Sequence, residues 1–222
     1  MEGELRALLV EGASRMGIEL DAEAVSRFAT LMSLLQTWGK RINLTTRLEG
    51  REIVIHHFLD SLAGVRLLRD PPPARVVDLG AGAGFPSLPL KFALPELQLT
   101  LVESVRKKVA FCQEVIRATG SRGIDAVCGR GEEIARQEGR GRAYAWAVSR
   151  ALASSAEVLA LARPFLAPGG RVLIYKGAPG KDELDELERA CAKIGAAWQV
   201  HEIAVPLIEA RRSLVVVRTA GG

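Results

Sequence analysis

Apolar residues first recur at helical spacing. Within residues 4–17 they include Leu5, Leu8 and Leu9, and within 21–40 Val25, Phe28, Leu31, Met32 and Leu35. Asp21 stands where an N-cap would open the second of these helices. After the link Arg41-Ile-Asn-Leu-Thr-Thr46, the pattern Thr46-Arg-Leu-Glu49 reads as a capping box that opens a third helix over roughly 50–69. Prolines at 71–73 then break the chain. The pattern predicts a helical N-terminal section, residues 1–70, too small and too amphipathic to stand alone. It is expected to pack on a main unit formed by residues 71–222.

From residue 74 short β-branched runs alternate with helical patterns. Strands are expected at 75–79, 98–103, 124–128, 143–149, 171–176, 197–205 and 212–218. Helices fit between them at 84–94, 105–119, 131–138, 153–166 and 181–195. Strand–helix alternation with short loops gives a parallel sheet covered on both faces, and right-handed crossovers make it doubly wound. The link Pro206–Arg211 is too short for a helix, so the last two strands should pair antiparallel. The expected fold is α/β and Rossmann-like, with a mostly parallel seven-stranded sheet and an antiparallel last strand. Five βα units followed by such a hairpin are the layout of class I S-adenosylmethionine-dependent methyltransferases.

Composition narrows the class. The chain has 222 residues, 48% hydrophobic and 25% charged, which suits one α/β domain with a small extension. The start Met-Glu-Gly-Glu-Leu-Arg lacks a basic segment followed by an apolar one, and no apolar run approaches 18 residues, so a soluble cytoplasmic protein without membrane attachment is expected. Cys112, Cys128 and Cys191 form no CxxC pair and are read as buried, reduced thiols. No cluster has metal-ligand spacing, so no metal is expected. The net charge of +4 rests on 23 arginines and 7 lysines. It is compatible with a polyanionic partner, and equally with an arginine-rich genome composition.

The candidate chemistry sits where the first strand ends. Asp78-Leu-Gly-Ala-Gly-Ala-Gly84 turns from strand into helix through three glycines, which permit positive φ and close approach of a ligand. Glu103 ends the next strand, where an acid can bind ribose hydroxyls. A dinucleotide fingerprint G-x-G-x-x-G wants glycine where Phe85 stands, and this loop reads G-x-G-x-G. That favours S-adenosylmethionine over NAD. Gly80, Gly82 and Phe85 would shape the pocket, Glu103 would hold the ribose, Ser104 and Val105 would begin the flanking helix, and Gly131-Glu132 would meet the adenine. Glu132 and Glu133 could equally be acids favoured by a helix dipole. Arg130, Ser149-Arg150 and Lys176-Gly177 place further polar groups at the strand tips.

The fourth tip, Ala147-Val-Ser-Arg-Ala151, lacks the Asn/Asp-Pro-Pro-aromatic pattern of exocyclic-amine methylation. Pyrimidine C5 methylation needs a cysteine nucleophile in a Pro-Cys context, and none is present. A ring nitrogen such as guanine N7 exposes a lone pair and carries no proton to remove. It needs alignment and exclusion of water rather than a general base.

Several motifs together resemble the bacterial small-subunit (16S) rRNA guanine-N7 methyltransferase family, also called glucose-inhibited division protein B. They are Asn43-Leu-Thr45, His57-Phe-Leu-Asp60-Ser61, Asp78 to Pro86, Glu103-Ser104 with Lys107-Lys108, Arg130-Gly-Glu-Glu133, Ser149-Arg-Ala151 and Lys176-Gly177. Two positions depart from the pattern: His56 stands in place of arginine, and Ser87 in place of the glycine after Phe-Pro. The resemblance implies S-adenosylmethionine bound at Gly80, Gly82, Phe85, Glu103, Ser104, Val105, Gly131, Glu132 and Arg150. It implies catalytic roles for Arg150, Lys176 and His57. The rRNA would meet His57, Asp60, Ser61, Lys107, Lys108, Arg130, Arg211 and Arg212, with a monomer acting on the small subunit. His57, Asp60 and Ser61 are spaced to share one helix face, which could also be a packing face. Lys107 and Lys108 could equally be solvated. A small-molecule methyltransferase, an NAD-dependent dehydrogenase and a non-catalytic rRNA-binding protein remain the alternatives.

Overall fold

A computed structural model describes residues 1–69, 75–150, 152–207 and 212–221. The boundary expected at residues 70–71, the prolines at 71–73, Ala151 and Arg211 lie outside the described residues. Helices α1 (Gly3–Arg15) and α2 (Ala22–Gly39) form where the apolar spacing places them, and the Asp21 carboxylate accepts from the Ala24 amide at 2.7 Å as the N-cap of α2. The third predicted helix is interrupted. It runs as α3 (Gly50–Ile53), a π-helical turn over Val54–Leu59, α4 (Asp60–Leu62) and, after a turn, α5 (Val65–Arg69). The expected capping box does not form: Glu49 is the N-cap of α3, without a side-chain bond, and the Thr45 hydroxyl accepts from the Arg47 amide. A capping box does form at Ser154–Glu157, opening α9 (Ser155–Ala162).

The sheet has seven strands: β1 (Val76–Leu79), β2 (Leu99–Glu103), β3 (Ile124–Cys128), β4 (Tyr144–Arg150), β5 (Leu166–Lys176), β6 (Ala197–Ile203) and β7 (Arg212–Arg218). Their order is β3-β2-β1-β4-β5-β7-β6. The first five run parallel, and β7 inserts antiparallel between β5 and β6. β5 starts earlier than expected because Leu166 already pairs with Tyr144. The crossover helices are α6 (Ser87–Ala93), α7 (Arg106–Ala118), α8 (Gly131–Ile134), α9 and α10 (Lys181–Ala192).

Each face of the sheet has its own core. On one face Val76, Leu99, Leu101, Trp146 and Leu173 pack with Leu9, Phe28, Phe58 and Phe92, so the N-terminal helices cover that face. Phe28 anchors the contact, with ring centroids 4.9 Å from Phe58 and 5.2 Å from Phe92. On the other face Val77, Ala147, Val172, Ile174 and Val215 pack with Val158, Leu159, Phe165 and Leu187. Cys112 and Cys191 are buried as expected; Cys128 is exposed, because β3 is an edge strand and Cys128 is its last residue. The strand order reverses between β1 and β4, and in such sheets the crevice outside the carboxyl ends of these strands receives ligands.

Candidate active site

The loop after β1 begins where Gly80 and Ala81 donate their amides to the Val102 carbonyl. Gly80, Gly82 and Gly84 have φ of 70°, 58° and 81°, a left-handed course that other residues adopt only with strain. Glu103 straps this loop: its carboxylate accepts from the Gly82 amide at 3.0 Å and from the Val105 amide at 2.9 Å. These bonds fix the carboxylate at the tip of β2 while leaving lone pairs for a diol. Behind the loop the buried Cys112 thiol donates to the Gly82 carbonyl, and burial pushes its pKa up, so it is no nucleophile.

A cleft of about 550 Å3 opens over this edge, and Gly80, Gly82, Glu103, Ser104, Lys108, Arg130, Gly131, Glu132 and Arg150 contribute to its wall. Leu79, Val102, Gly129, Leu152 and Leu161, none of them anticipated, complete it. It joins a bare glycine cradle, a carboxylate and apolar residues, features that suit the amino-acid, ribose and adenine parts of S-adenosylmethionine. Phe85 and Val105 are not in the wall. Phe85 lies beneath it, 5% exposed, and Val105 is the N-cap of α7.

Arg150 ends β4 and connects this cleft to a second one. Its guanidinium donates to the Asp60 carboxylate at 3.0 Å, to the His56 carbonyl at 3.3 Å and to His57 Nδ1 at 3.3 Å. It also lies 5.1 Å from the Phe85 ring centroid, and the His57 ring stacks on Phe85 at 4.7 Å. An arginine only donates, so His57 Nδ1 is the acceptor and Nε2–H donates to the Thr45 hydroxyl at 2.8 Å. Burial first, then the Arg150 charge, lowers the His57 pKa to about 3, so the ring is neutral with both nitrogens engaged. Asp60 is also paired with Arg212 from β7. The π-helical turn places His57 and Asp60 on this face together, a common use of such turns at functional sites.

The second cleft, about 350 Å3, is lined by Arg47, His56, His57, Asp60, Arg150, Tyr175, Lys176, Gly177 and Arg212. Asp60 is its only carboxylate among the described residues, and two arginines occupy it. The Lys176 ammonium is held at 2.7 Å by both Glu183 and the Ala153 carbonyl. Ser61 stands behind the wall, its carbonyl accepting from the Tyr175 hydroxyl at 2.8 Å, and Lys107 is exposed outside both clefts. Arg47 was not foreseen; its loop reaches the cleft because the neighbouring Thr45 binds His57.

Two buried side chains flanking the loop make no hydrogen bond among the described residues. Asp78 is 0% exposed and neither carboxylate oxygen makes a hydrogen bond. Ser87, the departure from the family pattern, turns its hydroxyl and amide toward the Asp78 carboxylate and favours its charge, but the contact lacks the geometry of a full hydrogen bond and the Ser87 hydroxyl makes no other. Burial pushes the Asp78 pKa up from 3.8 to about 7, against the pull of Ser87 and Arg150. The folded protein therefore holds this proton more tightly than the unfolded chain. The stability this contributes is complete below about pH 4 and lost as the pH rises through about 7. Asp78→Asn removes the charge but keeps the shape. Its melting temperature is expected to gain on that of the unaltered protein between about pH 5 and about pH 8. A difference that stays constant over that range would refute the assignment.

Among the described residues no group of histidines, cysteines and acids could hold a metal ion, and no helix is long and apolar enough to cross a membrane. The fold resembles solved methyltransferases. A precorrin-6y C5,15-methyltransferase from Geobacter metallireducens superposes with a TM-score of 0.52 at 14% identity, covering 80% of this chain and 91% of that one. Aeropyrum pernix fibrillarin, solved with natively bound S-adenosyl-L-methionine, superposes with a TM-score of 0.52 at 16% identity over 65% of this chain and 66% of that one. Sequence relatives are nearer. The chain is 39% identical over 218 residues to the ribosomal RNA small subunit methyltransferase G of Deinococcus deserti, covering 98% of this chain and 89% of that protein. It is 38% identical over 213 residues to the protein of that name from Roseiflexus castenholzii, covering 96% and 91%. The family model described as GidB, rRNA small subunit methyltransferase G, matches residues 24–214. With the motif-bearing clefts, the S-adenosylmethionine methyltransferase fold and likeness along nearly its whole length, the chain belongs to the GidB (rRNA small subunit methyltransferase G) family.

Proposed function

We propose that the protein transfers a methyl group from S-adenosylmethionine to N7 of a guanine in 16S rRNA of the small ribosomal subunit. The observation that carries this reading is the sharing of Arg150 between a glycine-lined cleft and a second one lined by Arg47, Lys176 and Arg212. S-Adenosylmethionine supplies a methyl group on a positively charged sulfur, open to displacement by a lone pair. Gly80 and Gly82 would let it approach the backbone, Glu103 would accept from its ribose, and Gly131 and Glu132 would flank its adenine. Arg47, Arg212 and Lys176 line the second cleft beside acidic partners, Glu52, Asp60 and Glu183, and with Arg150 they leave it a modest positive excess toward RNA phosphates. Lys108 and Arg130 extend that charge along the first.

The second cleft contains no free general base among the described residues. His57 is neutral with both nitrogens bonded, and Asp60 is spent on two arginines. That suits guanine N7, whose lone pair displaces directly and whose attack releases no proton. Arg150 would hold the base at its O6 edge and align it in line with the methyl. His57, Phe85 and Asp60 act through Arg150 as positioning residues. The experiment is transfer of labelled methyl to small subunits, or to their RNA, from cells lacking the enzyme. Label is expected in 7-methylguanine; label in another nucleoside, or none beside an active control, overturns the reading.

A further inference from the structure

A larger basic groove lies at the opposite edge of the sheet. It encloses about 670 Å3 and is lined by Ala135, Arg136, Gln137, Gly139, Gly141, Arg142, Ala160, Arg163 and Pro164. Arg142 precedes β4 and Arg150 ends it. At about 3.3 Å per residue the groove lies about 20 Å from the clefts at the strand tips. We infer that this groove is a second RNA-binding surface that holds phosphates of the structured rRNA around the target nucleotide.

The arginines differ from their neighbours. Arg140 is paired with Asp125, and Arg75 donates to the Gly139 carbonyl, so both serve the fold. Arg136, Arg142 and Arg163 are exposed and, among the described residues, make no hydrogen bond or ion pair through their guanidinium groups and line a groove without a carboxylate; Glu138, the nearest acid in sequence, is outside its lining. Four of the other lining residues, Ala135, Gly139, Gly141 and Ala160, are small and keep the groove open between the arginines. Arg142 is also held where its backbone is unfavourable. Its φ is 50°, held by a hydrogen bond from its backbone amide to the Pro164 carbonyl at 2.9 Å, in a region that glycine occupies with less strain. Three guanidiniums without ion pairs, lining one groove with small residues among them, can donate to the phosphates of an RNA backbone. This rests on rRNA being the substrate.

The test compares R136E/R142E/R163E with R6E/R66E/R218E, an equal change of charge on exposed arginines elsewhere. Affinity for 16S rRNA is measured from about 50 to about 300 mM KCl. The groove variant is expected to bind at least tenfold more weakly at the lower salt. Its salt slope should be shallower by about two, since each phosphate neutralised by the protein adds about 0.7 to 0.9 to that slope. Its affinity for S-adenosylmethionine and its turnover at saturating RNA should be unchanged, and the control variant should bind less than threefold more weakly. Arg142→Gly relieves the backbone, so it should melt higher yet bind rRNA two- to fivefold more weakly. Equal effects in the two triple variants, or unchanged affinity and slope in the groove variant, overturn the proposal. Failure of the unaltered protein to methylate small-subunit RNA overturns the substrate reading, and the proposal with it.

Discussion

Arg150→Ala is expected to lower turnover by about 100- to 1000-fold while the sheet stays folded, the size of effect seen when one preorganised donor leaves a reacting centre. Arg150 binds Asp60, the His56 carbonyl and His57 at once and lies over Phe85, so its guanidinium has a single orientation facing both clefts. Removing it takes away the donor at the junction where methyl donor and base must meet. Stability should fall less, because Asp60 keeps Arg212 and is not left as an isolated buried charge. Arg150→Lys tests the geometry: one ammonium cannot reproduce the fork that spans these partners, so it should rescue stability but little turnover. The checks are single-turnover methyl transfer with thermal melting, and a wild-type rate in either variant would remove Arg150 from the site.

Much of this arrangement was legible in the sequence, for physical reasons. Strands buried on both faces read as unbroken apolar runs, and Val76–Leu79 is buried at every position. The glycines at 80, 82 and 84 announced themselves because each has a positive φ. Glu103 was found because an acid ending the strand after the glycine loop stands where ribose hydroxyls can be bound. The π-helical turn was not legible. Ile53, Val54, Ile55, Phe58, Leu59 and Leu62 fit an α-helical pattern equally well, and the extra residue per turn shows only when His57 and Asp60 are seen beside Arg150. Phe85 was read as part of the pocket, since an aromatic in a glycine loop can face a ligand, but here it faces the protein and the stacked His57 ring takes its face. Arg47 and Tyr175 reach the second cleft through contacts between distant segments, Thr45 with His57 and Tyr175 with Ser61, which no local pattern encodes.

Gly82→Val should weaken S-adenosylmethionine binding by more than 100-fold. Two effects combine. At a φ of 58° an L-residue is strained by about 1–2 kcal/mol, and a β-branched one by more. A Cβ at Gly82 meets nothing nearer than the Gly80 carbonyl oxygen at 3.9 Å, so the protein has room for it. That room is the cleft itself, and valine's methyls would stand where the ligand approaches the backbone. Relaxing the strain would also pull the Gly82 amide from Glu103 and loosen the carboxylate assigned to the ribose. Gly195→Val separates the effects, since Gly195 has a φ of 62°, open space around it and no place in either cleft. It should bear similar backbone strain, lower the melting temperature and leave cofactor affinity intact. Calorimetry on both variants decides the matter. Unchanged affinity in Gly82→Val, or equal weakening in the two, would show that this glycine loop is not the cofactor's cradle.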